Sequence, residues 1–290
     1  MRGDRREPAS GQAAAGADVL LRSWRFTDAY GRELTVGAVR WHYARLGRGP
    51  AVLWLTGGLR RAALGAVSLE RLAAAHTVVA PDYPPVTSFA AMDAGLCAIL
   101  AAEGIDGCDL VGQSYGGMLA QAFLAAHPER IRRLVLSSSG PADYGRRWLP
   151  VLALLIAVVR VLPRPLLTRL LVRALSGLLS SERSPRAEGA AILRRTLGHD
   201  LTRADVVSHF AVAADVARRL LVRPDRFAGW QGDVAVLRAE NDRTQGARDI
   251  PRLQRLLGRP VRVISMGSAG HAAVLLEPDR YTQWLEQALG

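Results

Sequence analysis

The sequence predicts an α/β protein with a mostly parallel, doubly wound sheet and an inserted helical segment. Short, continuously apolar runs such as Ala51–Leu55 are typical of strands buried on both faces of a parallel sheet. Helix-compatible segments separate these runs, and such alternation favours a parallel sheet with right-handed crossovers. The alternation stops near Tyr144 and resumes at Val234, so the stretch between them is predicted to be an insertion.

The composition is that of a folded, basic protein. The chain has 290 residues and a formal net charge of +12, which allows one large α/β domain with an insertion. All 38 basic residues are arginine, and with the abundant alanine this indicates GC-rich codon usage rather than selection for a polyanion. The sequence has no nucleic-acid motif, aromatic–basic interleaving or long basic tail, so no nucleic-acid partner is expected.

The N-terminus and the cysteines bear on the cellular compartment. Residues 1–18 are polar, rich in Ala and Gly and without an apolar signal segment, and we predict a disordered extension. Cys97 and Cys108 are too few for a disulfide framework, and we interpret them as small buried side chains in a reducing compartment. A cytoplasmic location is therefore expected.

The elements of the predicted core, residues 19–143 and 228–290, follow in order. A hairpin is predicted first, with strands Val19–Phe26 and Leu34–Leu46 joined by a turn at Asp28–Gly31. The later predicted strands are Ala51–Leu55, Thr77–Ala80, Asp109–Val111, Ile131–Ser137, Val234–Arg238 and Val261–Met266. The predicted helices are Ser68–Ala75, Ser88–Glu103, Gly117–His127, Ile250–Leu257 and Tyr281–Leu289.

The insertion, residues 144–227, is predicted to be a helical cap. It contains 15 arginines and 6 acidic residues, a local charge of +9. Leu149–Val159 is almost wholly apolar but too short to span a bilayer, so it is a buried cap helix, the lining of an apolar substrate channel, or a helix resting on a membrane surface. We expect a mainly apolar pocket between cap and sheet, with the arginines outside it. His199 and His209 have no partner at ligand spacing and are interpreted as structural.

The clearest chemical motif lies between a predicted strand and a predicted helix. Gly112-Gln113-Ser114-Tyr115-Gly116 matches G-x-S-x-G, which in this context is typical of a nucleophile elbow. The turn would be tight enough to strain the backbone of Ser114 and to require Gly112 and Gly116 on either side. Ser114 would then project from the carboxyl edge of the sheet at a helix N-terminus, which favours a developing anion. The alternative interpretation is an ordinary glycine-rich turn.

Two further loops supply partners for Ser114. A serine hydroxyl needs a base, and the base needs an acid that fixes its tautomer. His271 and Asp242 each follow a predicted buried strand, so both should reach the edge where Ser114 lies. The alternative acids, which the sequence leaves open, are Glu240, Asp233 and Asp143.

An oxyanion hole requires two backbone N–H donors. One is expected from Tyr115, the residue after the serine. The other is expected from Gly58 in the loop Thr56-Gly57-Gly58-Leu59, with Leu59 as the neighbouring alternative.

With these motifs the chain resembles the α/β-hydrolase fold family over residues 34–143 and 228–290. The motifs that carry the resemblance are Thr56-Gly57-Gly58, Val78–Pro84, Gly112–Gly117, His127–Ile131, Glu240–Arg243 and Gly270-His271. Thr56 replaces the usual His of the first motif, which removes a side chain that braces the loop. A serine nucleophile argues against the dehalogenase and epoxide-hydrolase branches, and the Tyr83-Pro84 turn resembles maspardin and its bacterial relatives.

The resemblance implies a serine hydrolase that cleaves an ester or related acyl bond of a small hydrophobic molecule through an acyl-enzyme. No metal or organic cofactor is expected, and no transmembrane segment. Peripheral membrane contact through the cap is compatible with the sequence, which leaves the oligomeric state open. The alternative function is that of a hydrolase-fold binding protein with little or no catalysis, because some members of the family bind rather than react.

Overall fold

The computed structural model describes residues 21–179 and 186–290. Eight strands form one sheet: β1 Gly31–Val36, β2 Val39–Leu46, β3 Ala51–Leu55, β4 Thr77–Pro81, β5 Cys108–Gln113, β6 Ile131–Ser137, β7 Asp233–Arg238 and β8 Arg262–Ser265. The order across the sheet is β1-β2-β4-β3-β5-β6-β7-β8. The two pairs that involve β2 are antiparallel, and all pairs from β4 to β8 are parallel. The predicted fold class is confirmed.

Helices lie on both faces of the sheet, and further helices lie in the chain between β6 and β7. They are α1 at residues 21–30, α2 Ala66–Leu72, α3 Phe89–Ala102, α4 Tyr115–Ala126, α5 Leu149–Val161, α6 Arg164–Leu175, α7 Arg186–Arg195, α8 Arg203–Arg219, α9 Asp249–Leu257, α10 Ala273–Leu276 and α11 Pro278–Leu289. Short 3-10 turns lie at Ala62–Gly65, Pro128–Arg130, Arg146–Trp148 and Pro224–Arg226, and a π-helical turn lies at Thr196–Asp200.

The apolar strand sequences follow from burial on both faces. In β6, Leu134 and Leu136 belong to the apolar cluster that includes residues of α3, α4 and α9, whereas Val135 between them belongs to the cluster that includes residues of α2 and α11 on the other side. Successive side chains of a strand point to opposite faces of the sheet. A strand between two helical layers therefore needs apolar residues at successive positions and not only at alternate ones. β5, which carries the Ser114 motif, is buried along its whole length.

The predicted first strand, Val19–Phe26, is wrong. Residues 21–30 form a helix, and the part of the prediction before residue 21 lies outside the described residues. Phe26 is buried and its ring contacts Tyr30 one helical turn later, with centroids 5.3 Å apart. The hairpin turn lies later than predicted, because β1 pairs with β2 from Gly31↔Ala44 to Val36↔Val39 around Gly37. Gly37 supplies the positive φ of 60° that this tight turn needs.

Between β6 and β7 the described chain is helical; we call α5, α6, α7 and α8 the cap helices. They contact the sheet side through α3, which packs on α8, and through an apolar cluster in which Ile192 and Leu193 meet Ala272. The limits of this region as a separate cap, and of the core around it, remain predictions. Residues 1–18, the predicted extension, lie outside the described residues.

Helix α5 is not fully buried. Val159 is the only buried residue among its 13, and much of its outer surface is apolar and exposed. Its inner side lines a cavity instead, as one of the predicted alternatives required. Among the helices of the described residues, none is both long and apolar enough to cross a bilayer.

Candidate active site

Ser114 lies in a strained turn between β5 and α4. Its backbone has φ 52° and ψ −115°, a conformation that non-glycine residues rarely adopt. A Cβ on Gly116 would lie 2.0 Å from the carbonyl oxygen of Leu55, and one on Gly112 would lie 2.6 Å from the carbonyl oxygen of Gly116. Both flanking glycines are therefore required by close backbone contacts, as the motif predicts.

The loops after β7 and β8 bring a histidine and an aspartate to this serine. His271 Nε2 lies 2.9 Å from Ser114 Oγ, and His271 Nδ1 lies 2.9 Å from Asp242 Oδ2. The carboxylate accepts the Nδ1 proton, which leaves Nε2 free to accept from the serine hydroxyl. The three predicted residues thus form one continuous chain of hydrogen bonds.

The loop that carries Asp242 is held in place by local hydrogen bonds. Thr244 donates to Asp242 Oδ1 from its backbone N–H at 2.8 Å and from its hydroxyl at 2.7 Å. Burial alone would raise the pKa of Asp242, but the hydrogen bond and charge of His271 and these two bonds from Thr244 lower it below its usual value. Asn241 joins this loop to the histidine loop, because its side chain accepts from Gly270 N–H and donates to Ser268.

The other candidate acids lie elsewhere. Glu240 is exposed, and Asp233 is an exposed residue at the start of β7, at the opposite end of that strand from His271. Asp143 pairs with Arg252 at 3.0 Å. Of the four carboxylates considered, Asp242 is the one within hydrogen-bond distance of His271.

The glycine loop after β3 forms a tight turn beside Ser114. Arg60 N–H donates to the Gly57 carbonyl at 2.9 Å, so Gly58 and Leu59 occupy the two central positions of the turn. Both residues border the same cavity as Ser114 and Tyr115. Tyr115 is the first residue of α4, where a backbone N–H has no intrahelical acceptor. The two predicted oxyanion residues, Gly58 and Tyr115, thus border the same cavity as Ser114; their role stays a prediction, and Leu59 stays the alternative to Gly58.

Sequence reasoning missed the side chains that brace this loop. The fully buried Tyr83 donates its hydroxyl to the Thr56 carbonyl at 2.8 Å. Arg60, which is 1% exposed, donates to the Pro84 carbonyl at 2.8 Å and to Ser208 Oγ at 3.0 Å, and its Nε lies 3.6 Å from Asp205 Oδ1. These contacts support the loop in which Thr56 stands instead of histidine.

Comparison with known proteins assigns the family. The sequence model of the alpha/beta hydrolase fold matches residues 73–278. The chain belongs to the alpha/beta hydrolase fold family. It is similar to a 2-hydroxymuconate semialdehyde hydrolase from Pseudomonas sp. (strain CF600), with 31% identity over 127 residues that cover 39% of this chain and 45% of the relative. An enzyme of the same name from Pseudomonas putida is 56% identical over 41 residues, 14% of this chain and 15% of that protein. The chain thus spans less than half the length of these curated relatives.

Solved structures agree on the fold of this alpha/beta hydrolase. The enol-lactonase from Burkholderia xenovorans LB400 superposes with a TM-score of 0.72 at 17% identity, covering 89% of this chain and 99% of that one. At this identity the likeness concerns the fold alone. The narrower resemblance to maspardin stays a prediction.

His209 lies beside the candidate oxyanion residues. The sequence predicted a structural role for this histidine, and its ring stacks on Tyr115 with centroids 4.0 Å apart. A Cβ on Gly58 would lie 3.1 Å from its Cε1 atom. His209 of α8 thus packs against both candidate oxyanion residues and borders the cavity. Burial, with a smaller effect from the charge of Arg60, lowers its pKa to about 3, so the ring is neutral at physiological pH. No sequence spacing signalled this contact.

A cavity of about 560 Å³ lies over Ser114, between the sheet edge and the cap helices. Its walls are mainly apolar; from the cap helices, the turn before them and the π-helical turn between α7 and α8 come Trp148, Leu152, Leu171, Leu175, Leu193, Leu197, Val206, Phe210 and Ala213. Arg60 and Asp205 also border it, and they pair with each other. No arginine from the described cap helices lines this cavity. The expected apolar pocket, with cap arginines outside it, matches this geometry.

One side-chain cluster in the described part of the chain has the composition of a metal site. Asp93 and Cys97 of α3 face His127 after α4, with His127 Nε2 at 2.8 Å from Asp93 Oδ1 and 3.4 Å from Cys97 Sγ. Cys97 is half-buried, whereas Cys108 is buried as expected. His127 follows the far end of α4, which places the cluster about 20 Å along the helix from Ser114. The cluster is therefore separate from the candidate active site.

Proposed function

We propose that this chain is a serine hydrolase that cleaves an ester or related acyl bond of a small, hydrophobic substrate. One observation carries the proposal: His271 bridges Ser114 and Asp242 with two 2.9 Å contacts beside a largely apolar cavity. The family assignment and relatives named as hydrolases support it.

In the proposed reaction, Ser114 Oγ attacks the acyl carbon while His271 Nε2 accepts its proton. The Asp242 carboxylate, hydrogen-bonded to Nδ1, stabilises the imidazolium that forms. The Gly58 and Tyr115 N–H groups stabilise the negative charge on the acyl oxygen. The imidazolium then protonates the leaving group, and the same histidine activates a water molecule to hydrolyse the acyl-enzyme.

The cavity supports a substrate with little charge. Its volume lies within the usual range for small-molecule sites, and Arg60, the one arginine among the described residues that border it, is paired with Asp205. An anionic group bound there would compete with Asp205 for that guanidinium. We therefore expect medium-length acyl esters and lactones to be hydrolysed faster than 2-hydroxymuconate semialdehyde, the carboxylated compound named for the curated relatives. The free thiols fit the cytoplasmic location that we also propose.

Labelling with a fluorophosphonate probe tests the nucleophile. Wild type should be labelled and Ser114→Ala should not, since the probe needs an activated serine. Ser139→Ala is the matched control, because Ser139 borders the same cavity and its loss should leave labelling intact. Equal labelling of wild type and Ser114→Ala would exclude Ser114 as nucleophile. Labelling without turnover across esters, lactones and the semialdehyde would favour the binding-protein alternative.

A further inference from the structure

The outer surface of the first two cap helices is apolar and exposed. The outward side chains are Val151, Leu154, Leu155, Val158 and Val161 of α5, with Leu166 and Leu170 of α6; we call them the outer face. Leu154 is 64% exposed and Val161 is 79% exposed. Single exposed apolar residues are ordinary, but the five of α5 recur at helical spacing and so form a continuous stripe along that helix, and such a stripe indicates an interaction surface.

The chain segment that carries the outer face has only positive charges. Residues 145–179 contain six arginines and no aspartate or glutamate. They are Arg146, Arg147, Arg160, Arg164, Arg169 and Arg173, and all are exposed. Arg146 and Arg164 donate to backbone carbonyls, which leaves their charges uncompensated. An apolar surface flanked by arginines is complementary to anionic lipid, whose headgroups attract cations while the acyl region accepts apolar side chains.

We propose that the outer face docks on the surface of an anionic lipid bilayer. A second copy of the chain would fit less well, because a symmetric contact would bring the two sets of arginines together. The sequence of residues 1–20 contains no run of large apolar residues that would complement such a face.

The length of α5 fixes the mode of contact. Its 13 residues span about 20 Å, less than the ~30 Å hydrocarbon core, so the helix lies in the interface rather than across it. The opposite sides of the same helices border the cavity through Leu152 and Leu171. Docking would therefore place the cavity wall next to the lipid, where a hydrophobic acyl substrate is concentrated. This last consequence rests on the proposed function, whereas the docking itself does not.

Vesicle sedimentation tests the docking with the intact protein. Phosphatidylcholine vesicles should sediment little protein, and vesicles rich in phosphatidylglycerol should sediment most of it. The difference should shrink as salt is raised, because exposed charges are screened. The triple variant Leu154→Ser/Val158→Ser/Val161→Ser should bind at least about ten-fold more weakly, because it removes the apolar contacts. Val263→Ser is the matched control, since Val263 is 44% exposed on the edge strand β8.

The contribution of charge is measured separately. Arg169→Gln and Arg173→Gln should each weaken binding roughly five-fold, and Arg255→Gln on α9 should have little effect. None of the substituted side chains borders the cavity, so fluorophosphonate labelling and hydrolysis of a soluble ester should persist in every variant. A variant that loses vesicle binding but is still labelled therefore tests the docking alone. A protein that binds vesicles but is not labelled would contradict the proposed function and leave the docking intact.

Three results would overturn the proposal. The first is a wild type that does not sediment with anionic vesicles. The second is a triple variant that sediments as well as wild type. The third is a wild type that light scattering shows to be a dimer while the triple variant is a monomer, which would assign the outer face to a second copy. We expect instead that wild type and the triple variant have the same mass in solution.

Discussion

Acidification should destabilise this protein through His209. The ring lies between Tyr115, Gly58 and the apolar wall of the cavity, where a charged imidazole is poorly solvated. Burial and the nearby Arg60 lower its pKa to about 3, compared with about 6.5 for an unfolded chain. The unfolded state therefore binds a proton more readily than the folded state at every pH between these two values.

The sign and size of the effect follow from this difference. The stabilising contribution of neutral His209 is fully present above the unfolded pKa and is lost as pH falls from 6.5 towards 3. At pH 5 the unfolded histidine is largely protonated and the folded one is not, which lowers the free energy of unfolding by about 2 kcal/mol relative to neutral pH. Partial contact with solvent in the cavity reduces this figure somewhat.

Urea unfolding at pH 7.5 and pH 5 measures the effect. Wild type should lose about 2 kcal/mol more than His209→Gln over this interval, because the other ionisable groups are common to both proteins. His199→Gln removes an exposed histidine from the same insertion and should behave as wild type. An equal loss of stability in wild type and His209→Gln would show that His209 is not held neutral by burial, and the reasoning would fail.

Two further substitutions test the geometry of the site. Asp242→Asn should lower kcat by something like ~10⁴-fold through a mis-oriented imidazole, whereas Glu240→Gln should change it little; the reverse ranking would transfer the acid to Glu240. Gly116→Ala should lower the free energy of unfolding by about 3 kcal/mol in urea titration, because its Cβ would lie 2.0 Å from the Leu55 carbonyl oxygen. Gly229→Ala, whose Cβ would have open space, is the control, and equal stability of the two variants would contradict the close contact.

Tertiary packing decided the conformation of the acid loop and the contacts between residues far apart in sequence. Glu240 and Asp242 are two residues apart, and the choice between them depended on how the loop turns, which Thr244 and Asn241 fix by hydrogen bonds. Likewise Arg60 acquires its partner Asp205, and His209 its place on Tyr115, only when α8 packs over the oxyanion loop. Contacts between distant residues leave no periodicity or spacing in the chain, so inspection of the sequence missed them.

The N-terminal segment and α5 show the same limit in secondary structure and burial. Phe26 and Tyr30 lie one helical turn apart, but so short a segment fits a strand equally well until its buried face is known. In α5 the apolar pattern was compatible with burial, a channel lining or a membrane surface, and the fold places one side of the helix against the cavity and leaves most of the rest exposed.

What the sequence determined by itself was local and steric. Buried parallel strands need apolar residues on both faces, which gives continuous apolar runs in the sequence. The elbow needs glycine at 112 and 116, which gives the motif around Ser114. The order of strands then brought Ser114, Asp242 and His271 to one edge of the sheet, because parallel strands end on the same side. The identity of the hydrogen-bonded acid, the support of the oxyanion loop and the exposure of the outer face were decided only by tertiary structure, since each depends on which surfaces meet.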